Sequence, residues 1–383
     1  MAQKVLISAG EASGDLYAAG LVEALGRRNS ELEFFGCAGQ RMQRAGVRAV
    51  VDASSIAVVG LVEVVTHIPR VYREYRKLVR AAEQERPDVA ILTDSPDFHL
   101  RLARHLKALG IPVIYLVAPQ VWAWRKGRLP AMRRTIDQLL CIFPFEPDFF
   151  AAHGMDARYI GHPLTRLVQP SAAREELRSG LGIPDGVPLV ALLPGSRKGE
   201  IERHLPILIE AVEKLQAGQR PTPRFILAVP SQVLGSNFRE RISQTSIQLL
   251  EGRTWDVLAC ADLALAASGT VTIEATLLGT PMVTFYRVNK LSWQMGKHLV
   301  KVPFYSMVNL VAGRRIVPEF IQGEMTAGNL AGAARALLND ESAREAMRRE
   351  LRQVAAQLAG PEDPLDVAAR AVEQHLKEEM VHA

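Results

Sequence analysis

Lys4-Val5-Leu6-Ile7-Ser8-Ala9-Gly10-Glu11-Ala12-Ser13-Gly14-Asp15 decides how the chain folds. Val5 to Ser8 is a short apolar run with strand character, and Leu16 to Arg27 beyond the turn is patterned as a helix. The rhythm continues outward: Leu32 to Gly36, Val89 to Thr93, Val113 to Val117 and Gln138 to Ile142 read as strands, and Phe98 to Leu109 as a helix. Runs that are apolar throughout, separated by helices, indicate a parallel sheet covered on both faces. The pattern restarts in the second half, with strands at Leu189 to Leu193, Arg224 to Val229, Leu263 to Ala267 and Met282 to Tyr286, and helices at Glu200 to Leu215 and Val271 to Leu278. The expected fold class is α/β: two doubly wound domains in tandem, facing each other across a cleft, with ligands at the carboxyl ends of the strands. The expected boundary follows Gly161-His162-Pro163-Leu164, giving domains 1–165 and 166–355. Residues 356–383 are expected to form a C-terminal helix that packs back on the first domain or exchanges between protomers.

The 383 residues are 48% hydrophobic and 23% charged, which excludes a disordered, collagenous or coiled-coil chain. No apolar run approaches the ~20 residues that span a bilayer, and the N-terminal apolar run meets Glu11 too soon for a signal peptide. Cys37, Cys141 and Cys260 are odd in number and far apart, so reduced thiols are expected rather than a disulfide framework or zinc site. Lys and Arg number 46 against 41 Asp and Glu, a net charge of +5. The basic residues cluster in Arg70 to Arg80, Arg125 to Arg134 and Arg287 to Pro318, each a solvated face by itself but together suggestive of an anionic partner.

Five loops follow strands. In the first, Gly10 and Gly14 allow a tight turn at a helix start that favours anions, with Ser13 or Asp15 as a cap, and Glu11 could accept hydrogen bonds from sugar hydroxyls. It lacks the Gly-x-Gly-x-x-Gly of a dinucleotide site. In the second, Thr93-Asp94-Ser95-Pro96-Asp97-Phe98, Asp97 could cap the next helix, and Asp94 is either structural or a general base. In the third, Trp122 and Trp124 could stack on sugar faces or cover a sheet edge, and Arg125 could meet a phosphate. In the fourth, Gly195, Ser196, Arg197, Lys198 and Gly199 make an anion cradle without a Walker ending. In the fifth, Ser268, Gly269 and Thr270 open a helix toward a diphosphate, and Glu274 could accept both hydroxyls of a ribose.

These motifs, in this order and together with Val59-Gly60-Leu61-Val62-Glu63-Val64 and Asn309-Leu310-Val311-Ala312-Gly313-Arg314, resemble the lipid-A-disaccharide synthase family over residues 4 to about 325. Single motifs are shared with other glycosyltransferases built of two Rossmann-like domains, the GT-B type. The resemblance implies an inverting transfer of 2,3-diacylglucosamine from UDP-2,3-diacylglucosamine to 2,3-diacylglucosamine 1-phosphate, yielding a β-1,6-linked disaccharide 1-phosphate and UDP. The first domain would bind the acceptor and the second the UDP-sugar. It implies a cytoplasmic protein, peripheral on the inner face of the inner membrane, with no metal or other cofactor, no nucleic-acid partner, and a homodimer left open. It assigns Asp94 as general base, Glu11 as an essential carboxylate, Arg197 to the diphosphate, Asn309 to a position near the nucleotide and Glu274 to the ribose. Gln120 departs from the Ser expected in the tryptophan loop. The uracil-contacting residues are expected between Val229 and Asp262.

Acylated substrates need greasy surfaces beside phosphates. Ile56 to Val65, then Ile68, Val71, Tyr72, Tyr75, Leu78 and Val79, run into the first basic cluster and read as an interfacial element or an ordinary core helix. Leu291 to Met295 and Phe304-Tyr305 read the same way. The rival within this fold is another GT-B UDP-sugar enzyme, either a transferase for soluble substrates or a UDP-sugar epimerase.

Overall fold

A computed structural model describes residues 3–56, 61–218, 220–230, 235–289, 293–294 and 302–382, with the backbone alone for 61–68, 236–237 and 378–382. It contains two compact units, Met1–Leu167 joined by Leu358–Ala383, and Val168–Gln357.

The first unit is built on seven strands: β1 (Lys4–Ser8), β2 (Glu33–Ala38), β3 (Arg48–Asp52), β4 (Val89–Thr93), β5 (Val113–Leu116), β6 (Gln138–Cys141) and β7 (Ala157–Tyr159), in spatial order β3-β2-β1-β4-β5-β6-β7. The second is built on β8 (Leu189–Leu193), β9 (Arg224–Val229), β10 (Ile247–Glu251), β11 (Leu263–Ala267), β12 (Met282–Tyr286) and β13 (Glu319–Ile321), in order β10-β9-β8-β11-β12-β13. Every pairing is parallel. Both sheets reverse direction beside their first strand, which is the doubly wound arrangement. The central strands are apolar because helices cover both faces: Leu6, Ile7, Ile91, Leu192 and Leu265 are fully buried.

Strands expected from apolar runs lie within one or two residues of those observed. β3, β7, β10 and β13 were not expected, and they are the four edges of the two sheets. The strand at Val113 stops one residue early because Val117 turns to φ +63°, a costly backbone region for a β-branched residue.

The helix after β1 runs Ala12–Arg28, so the glycine turn is tighter than expected and Ser13, Gly14 and Asp15 lie in its first turn. The closing helix Pro364–His382 packs on it. A Cβ on Gly20 would come within 2.8 Å of Leu365 Cδ1, and Arg28 pairs with Glu373 at 2.7 Å. The final helix belongs with the first unit, burying Leu365, Ala368, Ala369, Val372 and Leu376.

The helix Leu61–Glu85 corrects part of the interfacial expectation. Leu78 and Val79 point into the first unit's core, alongside Ala103 and Leu106, instead of forming an outward apolar face. Ile56 is buried in the same core. Residues 57–60 and the side chains of 61–68, which carry most of that expectation, lie outside the described residues, as do 291, 292 and 295. Among the described residues, no helix is long and apolar enough to cross a membrane.

Candidate active site

Asp94 sits one residue past β4, and its carboxylate reaches the turn that follows β1. The backbone N–H of Gly10 donates to Oδ1 at 2.8 Å and that of Glu11 to Oδ2 at 3.0 Å. The helix start that the sequence offered to an outside anion is thus occupied by an internal one. The glycines have a specific reason: a Cβ on Gly14 would lie 1.7 Å from Asp94 Oδ2, and one on Gly10 would lie 2.4 Å from Ser95 Oγ. Burial, followed by the charge of Glu11, raises the Asp94 pKa to about 7, against the opposing pull of the Gly10, Glu11 and Ser95 hydrogen bonds. The side chain stays 13% exposed, so a carboxylate with a neutral-range pKa remains open to solvent.

The backbone that aims it is unusual. Asp94 and Ser95 both adopt left-handed conformations, at φ +53° and +35°, each costing about 1–3 kcal/mol unless the surroundings enforce it. The Asp94 carbonyl accepts hydrogen bonds from His99 Nδ1 at 2.9 Å and from the Tyr115 hydroxyl. The other nitrogen of His99 meets Ser8 Oγ at 2.7 Å. Sequence reasoning missed both side chains, because each sits inside a stretch that reads simply as helix or strand.

The remaining first-unit candidates are engaged within the protein. Asp15 does not cap its own helix: its carboxylate accepts from the N–H groups of Arg41 and Met42, at 3.1 Å each, and so caps the next one. Asp97 does not cap either, but pairs with Arg125 at 2.9 Å and with Arg128. Arg125 is therefore held by a carboxylate, and it stacks with Arg128 on the Trp124 ring, at 4.3 and 5.8 Å from the ring centroid. Trp124 remains partly exposed at 39%. Trp122 turns inward, donating from Nε1 to Glu146 Oε1 at 3.0 Å. Glu146 is fully buried and its carboxyl is raised to about 7 by burial. Ser13 is half-buried in the first turn of its helix.

In the second unit, the Gly195–Gly199 cradle is also already filled. Glu200 Oε2 accepts from the N–H groups of Ser196 at 3.1 Å and Arg197 at 3.3 Å, and Oε1 takes the Tyr286 hydroxyl at 2.9 Å and Arg197 Nη1 at 3.4 Å. This is the reaching-back half of a capping box, with Arg197 before the helix Lys198–Gly218 and Glu200 at its third residue. Gly195, at φ +120°, has to be glycine both for that conformation and because a Cβ would lie 2.5 Å from Glu200 Oε2. The sequence showed Glu200 in the loop but gave no hint of its target.

The helix Thr270–Leu277 differs. Its N-cap Gly269 supplies no side-chain cap, and Gly269 and Thr270 are exposed. Ser268 is tied down, donating from Oγ to the Tyr305 carbonyl at 2.7 Å. Glu274 lies half-buried one turn along the helix. Asn309 is engaged within the protein. Its Nδ2 donates to the Val317 carbonyl at 3.0 Å and to Glu319 Oε1 at 2.7 Å, and its Oδ1 accepts from the N–H groups of Ile316 and Val317 at 2.7 and 3.0 Å. This fully buried amide, with all its hydrogen-bonding capacity spent, holds the 316–317 backbone and the Glu319 carboxylate in place, and its side chain has no donor or acceptor left for a ligand.

A family model described as Lipid-A-disaccharide synthetase matches residues 5–364. The chain is 54% identical over 379 residues to the lipid-A-disaccharide synthase of Solibacter usitatus, covering 99% of each chain. It is 42% identical over 376 residues to that of Myxococcus xanthus, covering 98% of this chain and 97% of the other. Among solved structures, the UDP-GlcNAc 2-epimerase of Neisseria meningitidis bound to UDP-GlcNAc superposes with a TM-score of 0.63 at 13% identity, covering 98% of this chain and 100% of that one. A calicheamicin glycosyltransferase superposes with a TM-score of 0.59 at 17% identity, covering 98% and 99%. At such identities the structures establish the fold, the two-domain α/β architecture of the GT-B type. By the reach of the family model and the identity to these relatives, the chain belongs to the lipid-A-disaccharide synthase family, a family of glycosyltransferases.

Proposed function

We propose that this chain joins UDP-2,3-diacylglucosamine to 2,3-diacylglucosamine 1-phosphate, with the first unit binding the acceptor and the second the UDP-sugar. The acceptor's 6-hydroxyl gives its proton to Asp94 as its oxygen attacks the anomeric carbon opposite the leaving group. The bond from that carbon to the β-phosphate oxygen breaks, the centre inverts, and UDP leaves. The observation that carries this reading is Asp94 itself: a carboxylate fixed by two backbone N–H groups, open to solvent, with a pKa of about 7. A base in that range is free to accept a proton at neutral pH and basic enough to hold it. Glu11 keeps the Asp94 proton affinity up through its like charge and is assigned to sugar hydroxyls. Charge appearing on the departing diphosphate is assigned to the exposed start of the helix at Thr270 and to Arg197. Glu274, one turn into that helix, is assigned to the ribose, and Trp124 with its stacked arginines to a sugar or phosphate of the acceptor.

The acyl chains favour work at a lipid surface, peripheral on the inner face of the inner membrane. Exposed Arg70, Arg73, Arg76, Lys77 and Arg80, with Tyr72 59% exposed among them, support contact with anionic headgroups. The test is incubation of the purified chain with both acylated substrates, following product mass and UDP release together. The expected outcome is one UDP for each disaccharide 1-phosphate. UDP release without disaccharide, or conversion of the UDP-sugar without acceptor, would sink the proposal.

A further inference from the structure

We infer that His99 and Tyr115 are positioning residues for Asp94: two buried side chains, one from the helix that follows it and one from β5, hold the carbonyl of its left-handed turn and so fix where the carboxylate points. The inference rests on Asp94 being the proton acceptor proposed above, and it adds what keeps that acceptor in place.

A carbonyl can only accept, so His99 Nδ1 carries the proton. In a neutral ring Nε2 is then an acceptor, and the Ser8 hydroxyl donates to it. The ring is fully buried, and burial lowers its pKa to about 4, so it stays neutral through the working range and adds no charge beside the carboxylate. Ser8 ends β1, two residues before Gly10, whose N–H holds Asp94 Oδ1. His99 therefore ties together the strand that carries the carboxylate's donors and the turn that carries the carboxylate. Tyr115, also fully buried, clamps the same carbonyl from the neighbouring strand. These two bonds join those on the Asp94 carboxylate and on the Ser95 carbonyl in holding two successive non-glycine residues in left-handed geometry.

The groups that face Asp94 are Glu11 from the first turn, Ser95 and His99 from its own turn and helix, Tyr115 from β5 and Cys37 from β2, with Asp97 and Arg128 acting on Tyr115. If the turn relaxes, the carboxylate leaves its buried seat and its pKa falls toward the ordinary carboxylate range.

The test uses Tyr115→Phe, His99→Asn and His99→Phe in the full chain. Asn keeps a donor on the Nδ1 side and Phe keeps none. The expected result is a kcat lower by ~10-fold or more in Tyr115→Phe and His99→Phe, partial recovery in His99→Asn, and an unchanged KM for the UDP-sugar. The acid limb of the kcat profile should move to lower pH. A carbon-13 titration of the aspartate carboxyls, without substrate, should show the same shift. Variants that melt earlier but keep the wild-type carboxyl titration and kcat per folded molecule would reduce the pair to packing. If His99→Phe fails to fold, His99→Asn and Tyr115→Phe decide the matter. Asp94→Asn with full turnover would remove the base assignment, while a shifted carboxyl titration in Tyr115→Phe, smaller in His99→Asn, would still establish the positioning.

Discussion

The first strand–helix turns of the two units solve one problem with opposite results. Each offers backbone N–H groups at a helix start, and each has them taken by a carboxylate of the protein. In the first unit the carboxylate comes from the end of the neighbouring strand, 84 positions from Gly10, and burial leaves it with a high proton affinity. In the second it comes from the turn's own helix, and Arg197 and the Tyr286 hydroxyl share it. The same cradle therefore seats a carboxylate of raised proton affinity in one unit and one that engages a guanidinium in the other. The partner, not the turn, sets the chemistry.

This contrast can be broken at three points. The largest effect belongs to Asp94→Asn, which should lower kcat by ~10²–10⁴ while leaving UDP binding intact by calorimetry. It also carries a stability signature. A carboxyl whose pKa rises on folding, from an ordinary 3.8 to about 7, binds its proton more tightly in the native state. Its contribution is thus fully present below pH 4 and is lost as pH rises toward 7, at about 1.4 kcal/mol per unit. Glu146 adds a decline of the same sign, so thermal melts of Asp94→Asn between pH 5 and 8 should flatten in part, not wholly. A slope equal to wild type would count against the raised pKa.

Gly14→Ala comes next. Alanine suits the interior of a helix better than glycine, so the substitution is harmful only through the collision with Asp94 Oδ2. Turnover should fall by roughly 10²-fold, as for a misplaced catalytic group, with the helix signal in circular dichroism retained. Wild-type turnover would show that the carboxylate's seat does not matter. Glu200→Gln should do least: loss of about 1 kcal/mol of stability from the capping contact, and a few-fold rise in KM for the UDP-sugar as Arg197 loosens. A fall in kcat as large as that of Asp94→Asn would erase the distinction between the two turns.

What the sequence revealed follows the same logic. Central strands are apolar from end to end because both faces are covered, so β1, β4, β8 and β11 are visible as runs. Edge strands leave no such run: Arg48–Asp52 has a charged residue at each end and Glu319–Ile321 has only three residues. The site divides in a similar way. Gly10, Glu11, Asp94 and Arg197 stand in loops after strands, where side chains are conspicuous. Tyr115, His99 and Tyr286 act from inside regular elements toward partners distant in the chain, and nothing local marks them. Asn309 shows the converse, since its place in a motif gave no sign that its amide is spent on the neighbouring backbone and on Glu319.

The second unit is one unbroken segment placed within a first unit that closes only through Leu358–Ala383. During synthesis the inserted segment can complete its core first. The host, although begun earlier, leaves the side of its opening helix that carries Gly20 and Arg28 unfinished until the final helix emerges. Loss of the last two dozen residues should therefore cripple the unit made first and spare the one made second.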